Sequence, residues 1–229
     1  IPYSLQVCDS PTAIERPPEP DAALRWFKHV DHRSERLPAV VDASAAAAQA
    51  CAVLEVAPLG TRVKLNAGVD MTALGSGVHA CVAAALVAER AGFDRLIATR
   101  ILQGFGVDDA LDPAAPVSQI ESMDAWIRAR WPGCRRHPEI PIEAVLANGQ
   151  AMQGRIDLLL EIEDGWILID HKSNPAPRDR WGEVAGEHAG QLFMYANALE
   201  HVTARPVRKI WILLPIGGGA IRISPQGDA

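Results

Sequence analysis

The sequence predicts an α/β protein with a mixed β-sheet, and three observations predict it. Long apolar, Ala-rich stretches of helical character run between residues 44 and 131. From residue 139 the pattern changes to short runs rich in Ile, Leu and Val. Two of these runs flank Asp164-Gly165, a strong hairpin signal that makes at least one strand pair antiparallel.

Taken in order, residues 1–37 read as a linker, because Pro2, Pro11, Pro17, Pro18 and Pro20 break regular structure. A short helix fits residues 21–30, and His29 and His32 on it have helical ligand spacing but no visible third partner. Residues 44–54 read as a helix with Ser44 as its N-cap. Residues 72–90 form a long helix, apolar nearly all round and therefore buried. Further helices are expected near 93–104 and 117–131, with a loop at 113–116. Strands follow at 139–146, 152–163 and 166–172, then a helix over 180–202. An apolar strand at 208–215 and a short one at 220–223 close the chain, separated by a turn at Gly217-Gly218-Gly219. Residues 38–229 are thus read as one domain.

Composition narrows the function. Of 229 residues, 48% are hydrophobic and 22% charged, as in an ordinary globular protein. The longest apolar run, Ala80 to Ala88, is far short of the roughly 20 residues a membrane span needs. No leader pattern stands at Ile1, and a start without Met suggests a piece of something longer. Cys8, Cys51, Cys81 and Cys134 are scattered, which fits neither a disulfide framework nor a zinc or iron–sulfur site and points to a reducing cytoplasm. There is no phosphate-binding G-x-x-x-x-G-K-[ST] loop, so the chain itself is no ATPase. A net charge of −6 argues against phosphate neutralisation over a broad basic surface. If nucleic acid is the partner, positive charge must come from a metal or a neighbouring domain. One aromatic-basic cluster, Trp126, Trp131, Arg128, Arg130, Arg135 and Arg136, could touch single-stranded DNA. A helix end with solvated charge explains the same residues, and that reading is preferred.

With Asp164-Gly165 as a two-residue turn, Glu163 faces Trp166, Asp157 lies opposite Lys172, and Leu159 opposite Asp170. Asp157, Asp170 and Lys172 then project from one face, the two carboxylates being diagonal neighbours about 7–8 Å apart. Leu158, Leu160, Ile162, Ile167 and Ile169 make a core stripe on the other. Two carboxylates among apolar neighbours repel each other and lose hydration, and one lysine compensates only one of them. A hard divalent cation compensates both. A simple Asp157–Lys172 salt bridge remains the alternative.

Gly154-Arg155-Ile156-Asp157 followed by Asp170-His171-Lys172 resembles the G-x-x-D and D-x-K core of the PD-(D/E)xK nuclease superfamily. Gly75 to His79 resembles the G-x-x-x-H motif of its RecB-type branch, and Gln191 to Tyr195 its Q-x-x-x-Y motif. Four motifs in this order look most like the C-terminal nuclease domain of RecB and AddA helicase–nucleases. The resemblance spans roughly residues 38–216. It implies a restriction-endonuclease-like mixed sheet flanked by helices, and a Mg²⁺- or Mn²⁺-dependent deoxyribonuclease leaving 5′-phosphate ends. By the same resemblance His79, Asp157 and Asp170 are metal ligands, joined by the backbone carbonyl of His171. Lys172 activates water and stabilises phosphoryl charge, while Gln191 and Tyr195 lie beside the DNA backbone. Glu139 resembles an acidic position preceding the G-x-x-D strand. The implied partners are DNA, single-stranded or frayed, a UvrD-like helicase region upstream for which residues 1–37 are the tether, and a partner subunit. The implied setting is double-strand-break repair and recombination. A catalytically silent, DNA-guiding module is the alternative, against which the intact Asp157, Asp170 and Lys172 argue.

Overall fold

A computed structural model describes residues 39–87, 92–146 and 148–227. The tether, the helix at 21–30 and the His29/His32 pair lie outside the described residues.

The strands are β1 (Val40–Asp42), β2 (Cys51–Pro58), β3 (Arg135–Val145), β4 (Ala151–Ile162), β5 (Gly165–His171), β6 (Val207–Leu214) and β7 (Gly219–Pro225). They form one mixed sheet in the order β1-β4-β5-β6-β7-β2, with β3 also paired to β4. The helices are α1 (Met71–Val87), α2 (Arg95–Gly104), α3 (Ala114–Arg130) and α4 (Trp181–Thr203). Helix α4 makes the crossover between the parallel pair β5 and β6. Among the described residues no helix is long and apolar enough to cross a membrane.

The sheet has two cores, one per face. Helices α1–α3 pack on Leu158, Leu160, Ile167, Ile169, Trp211 and Leu213. Helix α4 packs on Leu159, Leu168, Ile210, Ile212 and Leu214. Strands β5 and β6 divide their side chains with the period of two that a sheet buried on both faces requires. Strand β4 does not. Met152 and Ile156 lie on the α4 side, yet Leu158 and Leu160 lie on the α1 side. The alternation slips across Asp157, and one edge of β4 changes partner there. That edge pairs with β1 through Ala151–Gln153 and with β5 through Leu158–Ile162.

Three expectations are corrected. Residues 44–54 are not a helix: Asp42 caps a single 3₁₀ turn at Ala43–Ala45, and Cys51 onward is β2. Ala is the best helix former, but tertiary packing overrides it here. The Ala run crosses α4 so closely that a Cβ on Gly190 would lie 2.2 Å from the Ala47 carbonyl oxygen. The main chain of Gln49 donates to the Gly186 carbonyl, 3.0 Å, holding the segment extended. Second, residues 114–116 are the first turn of α3, where proline is tolerated. Third, the hairpin register is offset by two residues. Ile162 pairs with Gly165 and Leu158 with Ile169, so the turn is Glu163-Asp164. Gly165 serves β6 instead: at φ 150°, a Cβ there would lie 2.2 Å from the Pro206 carbonyl oxygen. An offset of two keeps Leu158, Leu160, Ile167 and Ile169 on their expected face, but the Asp157 carboxylate, expected opposite Lys172, meets His79 and the His171 ring instead. The offset also moves Asp170 from a diagonal position to one step beyond the last ladder pair, facing Asp157.

Candidate active site

Asp157 is held at the point where β4 changes partner. Its Oδ2 accepts a hydrogen bond from the main-chain N–H of His171, 2.7 Å. Helix α1 brings His79 to the same carboxylate. Asp70 starts that helix by accepting from the N–H groups of Thr72 and Ala73. His79 Nδ1 then stands 3.8 Å from Asp157 Oδ2, and its Nε2 stands 3.2 Å from Glu139 Oε1. Glu139 itself sits in β3 at φ 54°, a left-handed conformation costly for a residue with a side chain. Arg155 approaches its other oxygen at 3.5 Å.

The side chain of His171 completes this group. Ligand atoms of His79, Asp157 and His171 all lie within 4.8 Å of one another. The imidazole of His171 is buried, and neither ring nitrogen makes a hydrogen bond. Burial, outweighing the charges of Asp170 and Glu139 and aided by those of His79 and Lys172, pushes its pKa down to about 4, so the ring is neutral and can coordinate at neutral pH. Its Nδ1 stands 3.5 Å from Asp157 Oδ2, and a buried imidazole without hydrogen bonds beside a buried carboxylate fits a divalent cation.

On the α4 side stands a chain of polar contacts. Lys172 Nζ lies 2.9 Å from Asp170 Oδ2 and donates to Gln191 Oε1, 3.2 Å. Gln191 Nε2 donates to the Tyr195 hydroxyl, 3.2 Å, which also accepts from the Arg155 main-chain N–H, 3.3 Å. That last bond engages β4 within the stretch where its edge changes partner. It requires Gly154, since a Cβ there would lie 2.5 Å from the Tyr195 ring. Tyr195 is 2% exposed, so it acts on the strand and leaves nucleic acid little surface to touch.

Both carboxylates are held above the usual range. Burial raises Asp157, outweighing the His171 amide, His79 and Lys172. Burial and then Asp157 raise Asp170, outweighing Lys172. Beside Lys172 opens a cleft of about 490 Å³, lined by Thr72, Ser76, Ser173, Asn174 and His188. Burial, then Lys172, lower the His188 pKa.

Every residue singled out for the site therefore lies in one neighbourhood: His79, Asp157, Asp170, His171, Lys172, Gln191 and Tyr195. The ring of His171 and the side chain of His188 are additional. His188 stands three residues before Gln191, so helical spacing could have found it. The aromatic-basic cluster divides. Trp126 and Arg130 turn inward, with the Arg130 guanidinium 5.0 Å from the Trp211 ring and bonded to Glu55 at 2.6 Å. Arg128 and Arg136 both engage Asp124.

Relatives carry the words helicase and nuclease. The chain is 32% identical over 172 residues to an ATP-dependent helicase/nuclease subunit of Pelotomaculum thermopropionicum, 69% of this chain and 12% of that protein. It is 32% identical over 99 residues to the subunit of the same name in Desulforudis audaxviator, 42% of this chain and 8% of that one. With the same-named subunit of Carboxydothermus hydrogenoformans it shares 38% over 61 residues, 27% of this chain and 5% of that protein. The chain thus spans about an eighth or less of the length of these relatives. Residues 53–226, which include all the residues named above as site residues, match the family described as the PD-(D/E)XK nuclease superfamily, and to that superfamily the chain belongs.

Proposed function

We propose that this chain is the nuclease domain of a helicase–nuclease, hydrolysing DNA phosphodiester bonds with Mg²⁺ or Mn²⁺ in double-strand-break repair and recombination. The observation that carries the reading is the convergence of His79, Asp157 and the His171 imidazole, which makes no hydrogen bond, on one point beside Asp170 and Lys172.

His79, Asp157 and His171 would hold the cation, with Asp170 and Glu139 at its flanks. The backbone carbonyl of His171 is a further candidate. A bound divalent cation supplies Lewis-acid polarisation of a phosphoryl oxygen and a lowered water pKa. Everything else falls to the protein. Lys172, held between Asp170 and Gln191, directs an ammonium at the charge that grows on the phosphoryl group. Gln191 keeps that ammonium aimed, and Tyr195 fixes Gln191 to the backbone of β4. Thr72, Ser76, Ser173 and Asn174 give the adjoining cleft neutral hydrogen-bonding groups suited to a DNA backbone.

The relatives' helicase/nuclease subunit name supports a motor region in the same polypeptide and a partner subunit, and a strand-separating motor upstream would feed the site single-stranded or frayed DNA. Cys51, Cys81 and Cys134 are free, in keeping with the cytoplasm. The test is cleavage of end-labelled single-stranded DNA with Mg²⁺, with Mn²⁺ and with chelator, beside Asp157→Asn. Metal-dependent cleavage to 5′-phosphate ends, lost in the variant, is expected. Cleavage that survives chelator or Asp157→Asn refutes the reading. Binding without cleavage under every metal assigns the silent, DNA-guiding module.

A further inference from the structure

A cleft of about 710 Å³ opens between the C-terminal half of α1, helix α3 and the start of β3. It runs along the start of β3 to Pro138, one residue short of Glu139. Its wall is unlike the chain as a whole. Arg128, Arg135, Arg136 and His137 line it, in a protein of net charge −6. The one carboxylate in the lining, Asp124, is 3% exposed and engages both Arg128 and Arg136. Arg135 and His137 stand 3.9 and 3.0 Å from Glu161, outside the lining; a guanidinium carries five N–H donors, so one such ion pair does not exhaust it. The side chains of Arg128 and Arg135 are 57% and 79% exposed. The apolar part of the lining includes half-buried Leu86 and the 66% exposed Val87, beside the buried Met123 and Trp131.

A guanidinium rim over an apolar lining complements a single nucleic-acid strand. The rim matches phosphates, and the solvent-reaching apolar surface of Leu86 and Val87 accepts base faces that a duplex keeps stacked inside itself. We infer that this cleft is the lane for one DNA strand on one side of the reacting phosphodiester, with Arg128 and Arg135 gripping its phosphates. The inference rests on the nuclease reading. At about 3.3 Å per residue, β3 sets Arg135 roughly 13 Å from Glu139, so the lane leads away from the site along the strand. The sequence cluster around Trp131 thus divides by role: the half-buried Trp126 and Arg130 pack against Trp211, while Arg128 and Arg135 belong to the lane.

The experiment measures binding of a fluorescein-labelled 20-nucleotide strand by this chain in Ca²⁺, over 50–200 mM KCl, beside hydrolysis of bis(p-nitrophenyl) phosphate in Mn²⁺. The small diester occupies only the reacting position. Arg128→Gln/Arg135→Gln should weaken strand binding about tenfold and reduce the salt slope by about 1.4, as loss of two phosphate contacts on a single strand requires. Arg180→Gln, on the α4 face, should change neither. Hydrolysis of the small diester should stay at the wild-type rate in all of them. Arg135→Glu alone, at a side chain too exposed to disturb folding, should weaken binding at least threefold. Unchanged strand binding in the arginine variants overturns the lane while leaving the nuclease reading intact. Failure of the wild type to hydrolyse the small diester strikes the nuclease reading instead. A decaglutamate peptide that displaces the strand at equal concentration overturns the inference and assigns the cleft to an acidic protein segment. Slower hydrolysis of the small diester in the arginine variants also overturns it, because those side chains would then act at the reacting centre.

Discussion

The two sides of the candidate site are built on opposite principles. His79, Glu139, Asp157 and the ring of His171 bring together more lone pairs than their own contacts use, and both ring nitrogens of His171 make no hydrogen bond. Asp170, Lys172, Gln191, Tyr195 and the Arg155 amide form a chain in which each group answers the next, at 2.9 to 3.3 Å. The first side is suited to receive a cation, and the second is already arranged without one. A single site thus separates binding from aiming and gives each its own layer of helices, α1 for one and α4 for the other.

The largest effects should come from the two buried carboxylates, one on each side. Asp157→Asn and Asp170→Asn should each lower DNA cleavage by about 10³-fold or more, since each removes charge that a catalytic cation needs. Both carboxyls are held above their ordinary range, so in chelator each substitution should raise the melting temperature, by about 2–4 °C for each kcal/mol relieved. Calorimetry in chelator checks this, and a lower or equal melting temperature in both variants would show that the carboxylates do not strain the fold.

Lys172→Ala should break the aiming side alone. Turnover should fall by about 10²–10³-fold, the scale of losing one preorganised stabiliser of transition-state charge. Mn²⁺ affinity should stay level or rise, because a nearby positive charge is gone. Isothermal titration beside an activity assay separates the two, and joint loss of both would merge the two sides into one.

A pH titration sharpens the comparison from the His171 side. Its folded pKa of about 4 lies below the ordinary histidine value of 6.5. In that window the unfolded chain binds more protons, so this residue makes stability rise with pH from about 4 to 6.5 and level off above. The contribution is at most about 3 kcal/mol. Asp157 and Asp170 act oppositely: their raised pKa values make stability fall as pH climbs from the ordinary carboxylate value through the folded one. The difference between wild type and His171→Gln in urea denaturation without metal isolates the histidine. A difference that does not grow toward acid pH would contradict the assigned burial.

The smallest effect belongs to Tyr195→Phe. It removes the acceptor for the Arg155 amide and for Gln191 while leaving the ring in place, at a cost of about 1–2 kcal/mol. Cleavage should fall only about three- to tenfold, with kcat moving and KM steady. A larger change in KM than in kcat would mean that the hydroxyl touches DNA.

Much of this was legible in the sequence because it depends on parity and order. Helix α1, helix α4 and strands β4 to β7 follow from apolar periodicity, and the shared neighbourhood of Asp157 and Asp170 survived a register offset of two. The register itself was not legible, because Gly165 reads as a turn residue when its neighbour Pro206 is unseen. Nor was β2: an Ala run says helix until α4 lies across it with glycines at the crossing. The slip of β4 at Asp157 comes from a change of strand partner, which no local pattern records. The His171 ring was hidden by alternation, which assigned it to the face away from Asp170 without showing that Asp157 reaches round the strand to meet it.

The contact between Gly154 and Tyr195 has a consequence for how such sequences diverge. The glycine of one motif and the tyrosine of another, 41 residues later, occupy what is nearly a single volume. Neither position is free to drift alone. A side chain acquired at residue 154 demands a smaller one at 195, and a smaller one at 195 forfeits the hydroxyl that engages β4 beside Asp157. Across relatives that share this strand geometry, the two positions should change together or not at all, so the two short motifs behave in inheritance as one character.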